Sequence, residues 1–255
     1  TQDLEQVPGA AGAYTLVISP PGVDRTFLGF LGPNDTFSSA HVPEDLLRQA
    51  DLFHLGYPPL LRMMYAEGGA ELARLMRRAK ELGATTSLDT AMPDPARPSG
   101  KADWSSILGR ALPYVDLFMP SVEELLFMLW RERYNALARE VGHAGMIDAL
   151  TTDDILTLAG RALALGPRLL AIKMGRRGLY LRTGEIGAAM VRAVPLAPAA
   201  WNRRELWAPC FRVQVAGSVG AGDAAIAGFI TALLRHMDPE MALTASVAVG
   251  ACNVE

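Results

Sequence analysis

A chain of 255 residues, half of them hydrophobic and 20% charged, has the balance of a globular protein with room for one large domain or two small ones. Its 24 Lys and Arg stand against 27 Asp and Glu, for a net charge of -3 with no dense basic block, which excludes a nucleic-acid footprint. No apolar run is long enough to span a bilayer, and Cys210 and Cys252 fit neither a metal-ligand spacing nor a disulfide framework. A reduced, cytoplasmic protein with no nucleic-acid or membrane partner is expected.

In chain order, residues 1–12 read as loop, and 13–19 and 25–30 as two strands joined by a Pro- and Gly-bearing turn. This hairpin, residues 13–30, stands apart from the rest of the chain. Residues 41–255 then alternate strand and helix. Strands are expected at 51–55, 84–88, 116–119, 169–174 and 178–182, with later ones at Val191 and 211–215. Helices are expected at 69–82, 104–112, from Ser121 onward, and at 153–165, 224–236 and 239–250. Leu72, Leu75, Met76, Ala79 and Leu82 share one face of the first, and Asp238 with Pro239 opens the last. Residues 130–151 read as an irregular charged connection, and 195–209 as a long ordered loop. Such alternation predicts a single α/β domain whose mostly parallel sheet is covered on both faces, with ligands along the C-terminal strand edge.

The stretch 213–225 carries the most chemistry. A strand-like segment runs through small residues directly into a helix rich in Ala, Ile and Phe. Gly220, Ala221 and Gly222 let backbone amides converge at the positive end of that helix, where an anion is favoured. Asp223 follows in the first turn, where the same dipole favours its carboxylate. A base beside an anion hole suits phosphoryl transfer to an alcohol. Asp223 also fits an ordinary helix-start acid. A dinucleotide fingerprint is rejected, because the residues after Ala225 read as helices and leave no second strand. No Gly-Lys-Ser/Thr phosphate loop occurs anywhere in the chain.

Gly220, Ala221, Gly222 and Asp223, preceded by Gly217, Ser218 and Val219, resemble the second signature of the PfkB/ribokinase family of carbohydrate kinases. The resemblance implies a ribokinase-like three-layer α/β/α sandwich with a mostly parallel sheet and a small β lid. It makes Asp223 the catalytic base and the backbone of Gly220, Ala221 and Gly222 the anion hole. The family has Asp or Asn followed by Thr where this chain has Gly217 and Ser218, so dependence on a monovalent cation stays open. Residues 50–56 resemble the family strand before its first large crossover. Ser121 and Glu124 match the family's Asn-x-x-Glu element, which implies that Glu124 orders Mg2+ through water with Ser121 in support. The same spacing is that of a capping box, and both readings stand.

Lys173, Gly175 and Gly178 resemble the family's glycine turn near the nucleotide, with Ser218 on the same side. Taken alone, the turn needs glycine for its geometry, and Lys173 reads as a strand residue with a snorkelling stem. Asp89 ends a strand on the expected active edge, where a supporting role and a loop-capping role compete. The histidines at 41, 54, 143 and 236 lack ligand spacing and read as structural or surface residues. The resemblance implies ATP-dependent transfer to a hydroxymethyl group of a sugar, with ATP and Mg2+. A nucleoside or vitamin kinase, or a noncatalytic sugar- or nucleotide-binding protein, are the rivals. The family's sugar-gripping Gly-Gly-x-x-x-Asn element is missing, so the chain is expected to be a segment of a longer protein. A homodimer through the lid hairpin is expected by analogy.

Overall fold

The computed structural model describes residues 7–18, 20, 26–187 and 196–255. Strands β1 (Tyr14–Ile18) and β2 (Thr26–Phe30) pair antiparallel into a separate two-stranded sheet, with every strand residue exposed. The turn expected between them lies outside the described residues, apart from Pro20.

Six further strands form one sheet in the order β3 (Leu52–Leu55), β4 (Thr85–Leu88), β5 (Leu117–Phe118), β6 (Leu169–Lys173), β7 (Leu179–Thr183) and β8 (Glu205–Ala208). The first four run parallel, and β7 and β8 close the sheet antiparallel. Neighbouring residues on a strand face opposite ways, and the core divides accordingly. On one side Leu88, Phe118, Leu170 and Ile172 pack against α1 (Ala70–Glu81), α2 (Trp104–Ala111), α3 (Val122–Leu129) and α5 (Thr152–Ala164), with α4 (Arg131–Ala149) between the last two in sequence. On the other side Leu117, Met119, Leu169 and Ala171 pack against α6 (Ala221–Leu234) and α7 (Pro239–Val254). The result is the expected three-layer sandwich.

The α1 stripe behaves as its spacing demands, with Leu72, Leu75, Met76 and Ala79 all 0% exposed. Alternation has a second consequence. Counting by twos from the α6-facing core residues puts Ser87 and Asp89 of the β4 end, and Lys173 of β6, on the side where Asp223 begins α6.

Three expectations are corrected. Residues 130–151 are mostly helix: α4 buries Tyr134, Leu137 and Met146 while its charges face outward, and Gly142, at φ 71°, interrupts it. Arg133 pins it to α5 through two 2.9 Å hydrogen bonds to Asp154. Residues 195–209 contain the short helix Pro198–Trp201 and the edge strand β8, so that stretch is not a loop throughout. Residues 211–215 are not a strand; the alternating Phe211, Val213 and Val215 find no neighbouring strand and instead line a cavity. Val191 lies outside the described residues.

Phe118, 0% exposed in the middle of the sheet, should be costly to truncate. Phe118→Ala is expected to lower unfolding stability by about 3–5 kcal/mol, measured by chemical denaturation.

Candidate active site

Four successive parallel strands deliver one group each to the same edge. Tyr57 follows β3, Asp89 directly follows β4, Ser121 follows β5, and Lys173 is the last residue of β6. A parallel bridge between Ser121 and Lys173 extends the β5–β6 pairing to the very edge. Facing them is the start of α6, where Gly220 serves as N-cap with φ 80°, a conformation that glycine adopts without strain. Helix geometry leaves the amides of Gly222 and Asp223 without an intrahelical carbonyl. The turn is tied to the end of α7: Asn253 donates to the Val219 carbonyl at 2.8 Å, and the Ala216 amide donates to Val254 at 2.7 Å.

Lys173 and Asp89 form an ion pair with Nζ to Oδ1 at 2.6 Å, their side chains 13% and 1% exposed. Burial pushes the Asp89 carboxyl up, Lys173 opposes that, and the nearby Glu124 charge adds to it. Asp89 Oδ2 is buried with no hydrogen-bond partner among the described residues. The Lys173 stem does not snorkel outward. It lies along Gly222, where an added Cβ would sit 3.7 Å from Nζ, so the ammonium stays beside the Gly220–Gly222 turn.

Glu124 is held from three directions. Thr90 Oγ1 donates to Oε2 at 2.7 Å, the Ser121 amide donates to Oε2 at 2.9 Å, and Ser121 Oγ donates to Oε1 at 3.0 Å. The capping box is therefore present, and carboxylate oxygens keep acceptor sites for water after these bonds. Among the described residues no group of three His, Cys, Asp or Glu side chains could hold a metal ion. The spare acceptor sites on Glu124 fit a Mg2+ held mainly by phosphates and water, with this carboxylate behind the water.

Two residues at this edge escape sequence reasoning. The Tyr57 hydroxyl donates to Asp223 Oδ1. His54, on the same face of the sheet, contacts Ser87 Oγ through Nδ1 at 2.9 Å. The protein around His54 lowers its pKa, the Lys173 charge adds to that, and Asp223 opposes it. His54, exposed at the strand end, is thus a surface residue that shares the site's electrostatics. The only sequence signal is position, at the C-terminal end of a parallel strand.

Beside α6 opens a cavity of about 670 Å³. Lys173, Gly175, Gly178 and Ser218 all line it, together with Ala221 and Gly222. Gly178 is required sterically: at φ 92°, a Cβ there would lie 2.0 Å from the Ala208 carbonyl oxygen of β8. Of the residues singled out for nucleotide and phosphate, all but Gly220 line this one space, and Gly220 and Asp223 lie at the start of the helix that flanks it.

The model of the pfkB family carbohydrate kinases matches residues 4–255. The chain belongs to the pfkB family. A curated relative, an uncharacterized sugar kinase from Archaeoglobus fulgidus, is 25% identical over 94% of this chain and 75% of its own length. The 1-phosphofructokinase of Rhodobacter capsulatus is 30% identical over 96% of this chain, which spans only 62% of that relative. Among solved structures, the ribokinase of Thermotoga maritima superposes with a TM-score of 0.60 at 17% identity, covering 96% of this chain and 64% of that one. The fructokinase of Xylella fastidiosa gives 0.63 at 21% identity, covering 97% of this chain and 69% of that one. At these identities the structures establish the pfkB-type fold.

The Lys173–Asp89 pair gives a pH-dependent test. Because Asp89 is raised in the folded state, the native protein binds more protons than the unfolded chain between the ordinary carboxylate range, about 4, and the raised value. Stability from this group therefore falls as pH rises through that window. Lys173→Met removes the opposing charge and raises Asp89 further. The variant should lose about 3–5 kcal/mol at pH 8 and distinctly less at pH 5, where a protonated Asp89 needs no counter-charge. Denaturant titrations at the two pH values measure this, and equal losses would place the cost in packing.

Proposed function

We propose that this chain is the catalytic part of a sugar kinase that transfers the γ-phosphoryl group of ATP to a hydroxymethyl group. One observation carries the reading: Asp223 stands directly behind the Gly220–Gly222 turn at a helix N-terminus, flanking the 670 Å³ cavity that Lys173 also lines. Asp223 takes the proton of the acceptor alcohol as its oxygen bonds to phosphorus. The bond between that phosphorus and the bridging oxygen breaks, and the electron pair leaves with ADP. Amides at Gly222 and Asp223 stabilise the charge on the transferring group, with the Lys173 ammonium alongside. Mg2+, when bound, neutralises phosphate charge, and Glu124 is the residue that would orient its water.

The family supports a sugar as acceptor, and the matched curated relatives bear the names of a sugar kinase and a 1-phosphofructokinase, which favours sugars over nucleosides or vitamins. ATP as donor is supported by the Xylella fastidiosa fructokinase, solved with bound ATP. A noncatalytic binding protein would have no need for the hydrogen-bonded Asp223 beside a buried ammonium. The hairpin β1–β2 exposes Tyr14, Leu16, Phe27, Leu28 and Phe30. Pairing with its copy in a homodimer would cover that apolar surface. Among the described residues no helix is long and apolar enough to cross a membrane. A kinase that draws on ATP and a sugar acceptor suits the cytoplasm, where we place it.

The test is ADP release by the full-length protein with magnesium-ATP across a panel of sugars and nucleosides. Turnover is expected on a sugar. Asp223→Asn should cut kcat by about 10²–10⁴-fold while ATP affinity stays within a few-fold. Tight binding without turnover in the unmodified protein would sink the catalytic reading.

A further inference from the structure

The β3 edge supplies a group that the phosphotransfer scheme has not used. Tyr57 has φ 59° and ψ 47°, the left-handed region that a bulky side chain avoids. Glu67, Arg203 and His236 are the other described non-glycine residues at positive φ, and none of them bonds to Asp223. The next three residues hold the bend in place. Pro58 and Pro59 are buried, and the Leu60 amide donates to the Tyr57 carbonyl at 2.8 Å. The backbone is therefore committed before the side chain makes any contact. The chain leaves β3 sharply, and the phenol reaches across to the start of α6.

Asp223 is itself exposed at the first turn of α6 and has a carboxylate free to rotate unless something holds it. The phenol takes one of its two oxygens. Burial first, then the hydrogen bond to Asp223, pushes the Tyr57 hydroxyl well above its ordinary range, with Asp89 and Glu124 adding to the effect. The phenol is therefore a neutral donor at any working pH and cannot compete with Asp223 as the base. His54, whose pKa is lowered, is neutral near pH 7 and does not compete for the carboxylate as a cation.

We propose that Tyr57 is a positioning residue for phosphoryl transfer: its hydroxyl fixes Asp223 through Oδ1, so that Oδ2 is presented to the acceptor alcohol. The proposal rests on the phosphotransfer reading above. It explains why an aromatic residue occupies a strained backbone position at this edge, since the strain aims the ring at the helix N-terminus. A carboxylate held in one orientation before substrate arrives needs no reorganisation at the moment of transfer.

The experiment uses the full-length protein with Tyr57→Phe, which keeps the ring and the bend and removes only the donor. The expected result is a fall in kcat of about tenfold, the usual scale for one charge-assisted hydrogen bond, with KM for sugar and ATP within about twofold and the melting temperature unchanged. A second readout does not depend on turnover. With 3-fluorotyrosine incorporated, the fluorine resonance absent from Tyr57→Phe should shift in Asp223→Asn and stay put in Arg203→Lys, a distant control. An active wild type with unchanged kcat in Tyr57→Phe overturns the role of Tyr57 alone. So does a loss carried by KM, or a fluorine resonance indifferent to Asp223→Asn. A wild type inactive on every acceptor brings down the phosphotransfer reading, and the role of Tyr57 in it with it.

Discussion

The pairing of Lys173 with Asp89 sets the terms for everything else at the strand ends. β4 and β6 are separated by β5, so the two backbones are about 10 Å apart, twice the usual interstrand spacing. Only a long side chain meeting a short carboxylate closes that gap at 2.6 Å. Both charges are withdrawn from water to do so, which costs more than an exposed pair would. That cost is tolerable because the sheet holds the partners rigidly and because the ammonium lies where negative charge would arrive. A structural ion pair could have been replaced by apolar residues. On the proposed phosphoryl-transfer reading, a positive charge beside the N-terminus of α6 could not.

The balance of charge around that pair has a further meaning. At the strand edge the Lys173 ammonium stands among three carboxylates, Asp89, Glu124 and Asp223, while Arg176 and Arg212 line the adjoining cavity. Such a site repels nucleotide phosphates unless further positive charge is supplied. The N-terminus of α6 supplies part of it, through amides that carry no mobile charge. On the proposed reading, a divalent cation arriving with the nucleotide would offset more of it, and Glu124 is the carboxylate at this edge that would orient its water. The unpartnered Oδ2 of Asp89 belongs to the same account: it is an acceptor in an acidic, buried place, and it suits a site completed by its ligands.

How much of this is legible in the sequence depends on the separation of the partners. The Gly220–Asp223 turn is local: its residues are consecutive, and glycine and an acid at a helix start announce themselves. Ser121 and Glu124 lie three apart, so their capping box can be read directly. Lys173 and Asp89 lie 84 residues apart, and Tyr57 and Asp223 lie 166 apart. Nothing in local pattern carries such contacts, which is why Lys173 reads as a snorkelling residue and Tyr57 gives no signal. Lys173 becomes inferable once the parallel order is known, because alternation puts it on the face of Asp89. Tyr57 does not, because alternation would set it with Leu55 on the other face and only its left-handed backbone turns it across. The misread segments have physical causes too. Around Gly142 the helical period is broken, and at 211–215 the alternation of a strand occurs without a strand beside it.

That unpaired segment completes the division of labour. The strand edge is polar, buried and rigid, held by ion pairs and a capping box. The opposite wall of the cavity is apolar and open: Phe211 is 51% exposed and Val215 68%. It is tied at intervals, by the Cys210 thiol donating to the Gly175 carbonyl and by the Ala216 amide donating to the Val254 carbonyl. An apolar wall that water wets is stabilised when a flat ligand covers it, and a base ring is such a ligand. On the proposed reading, chemistry falls to the strand edge and affinity to a segment that gains by being covered. The two meet at Gly222, whose missing side chain leaves room for the Lys173 stem at the helix start, where the proposed phosphate would reach its amide.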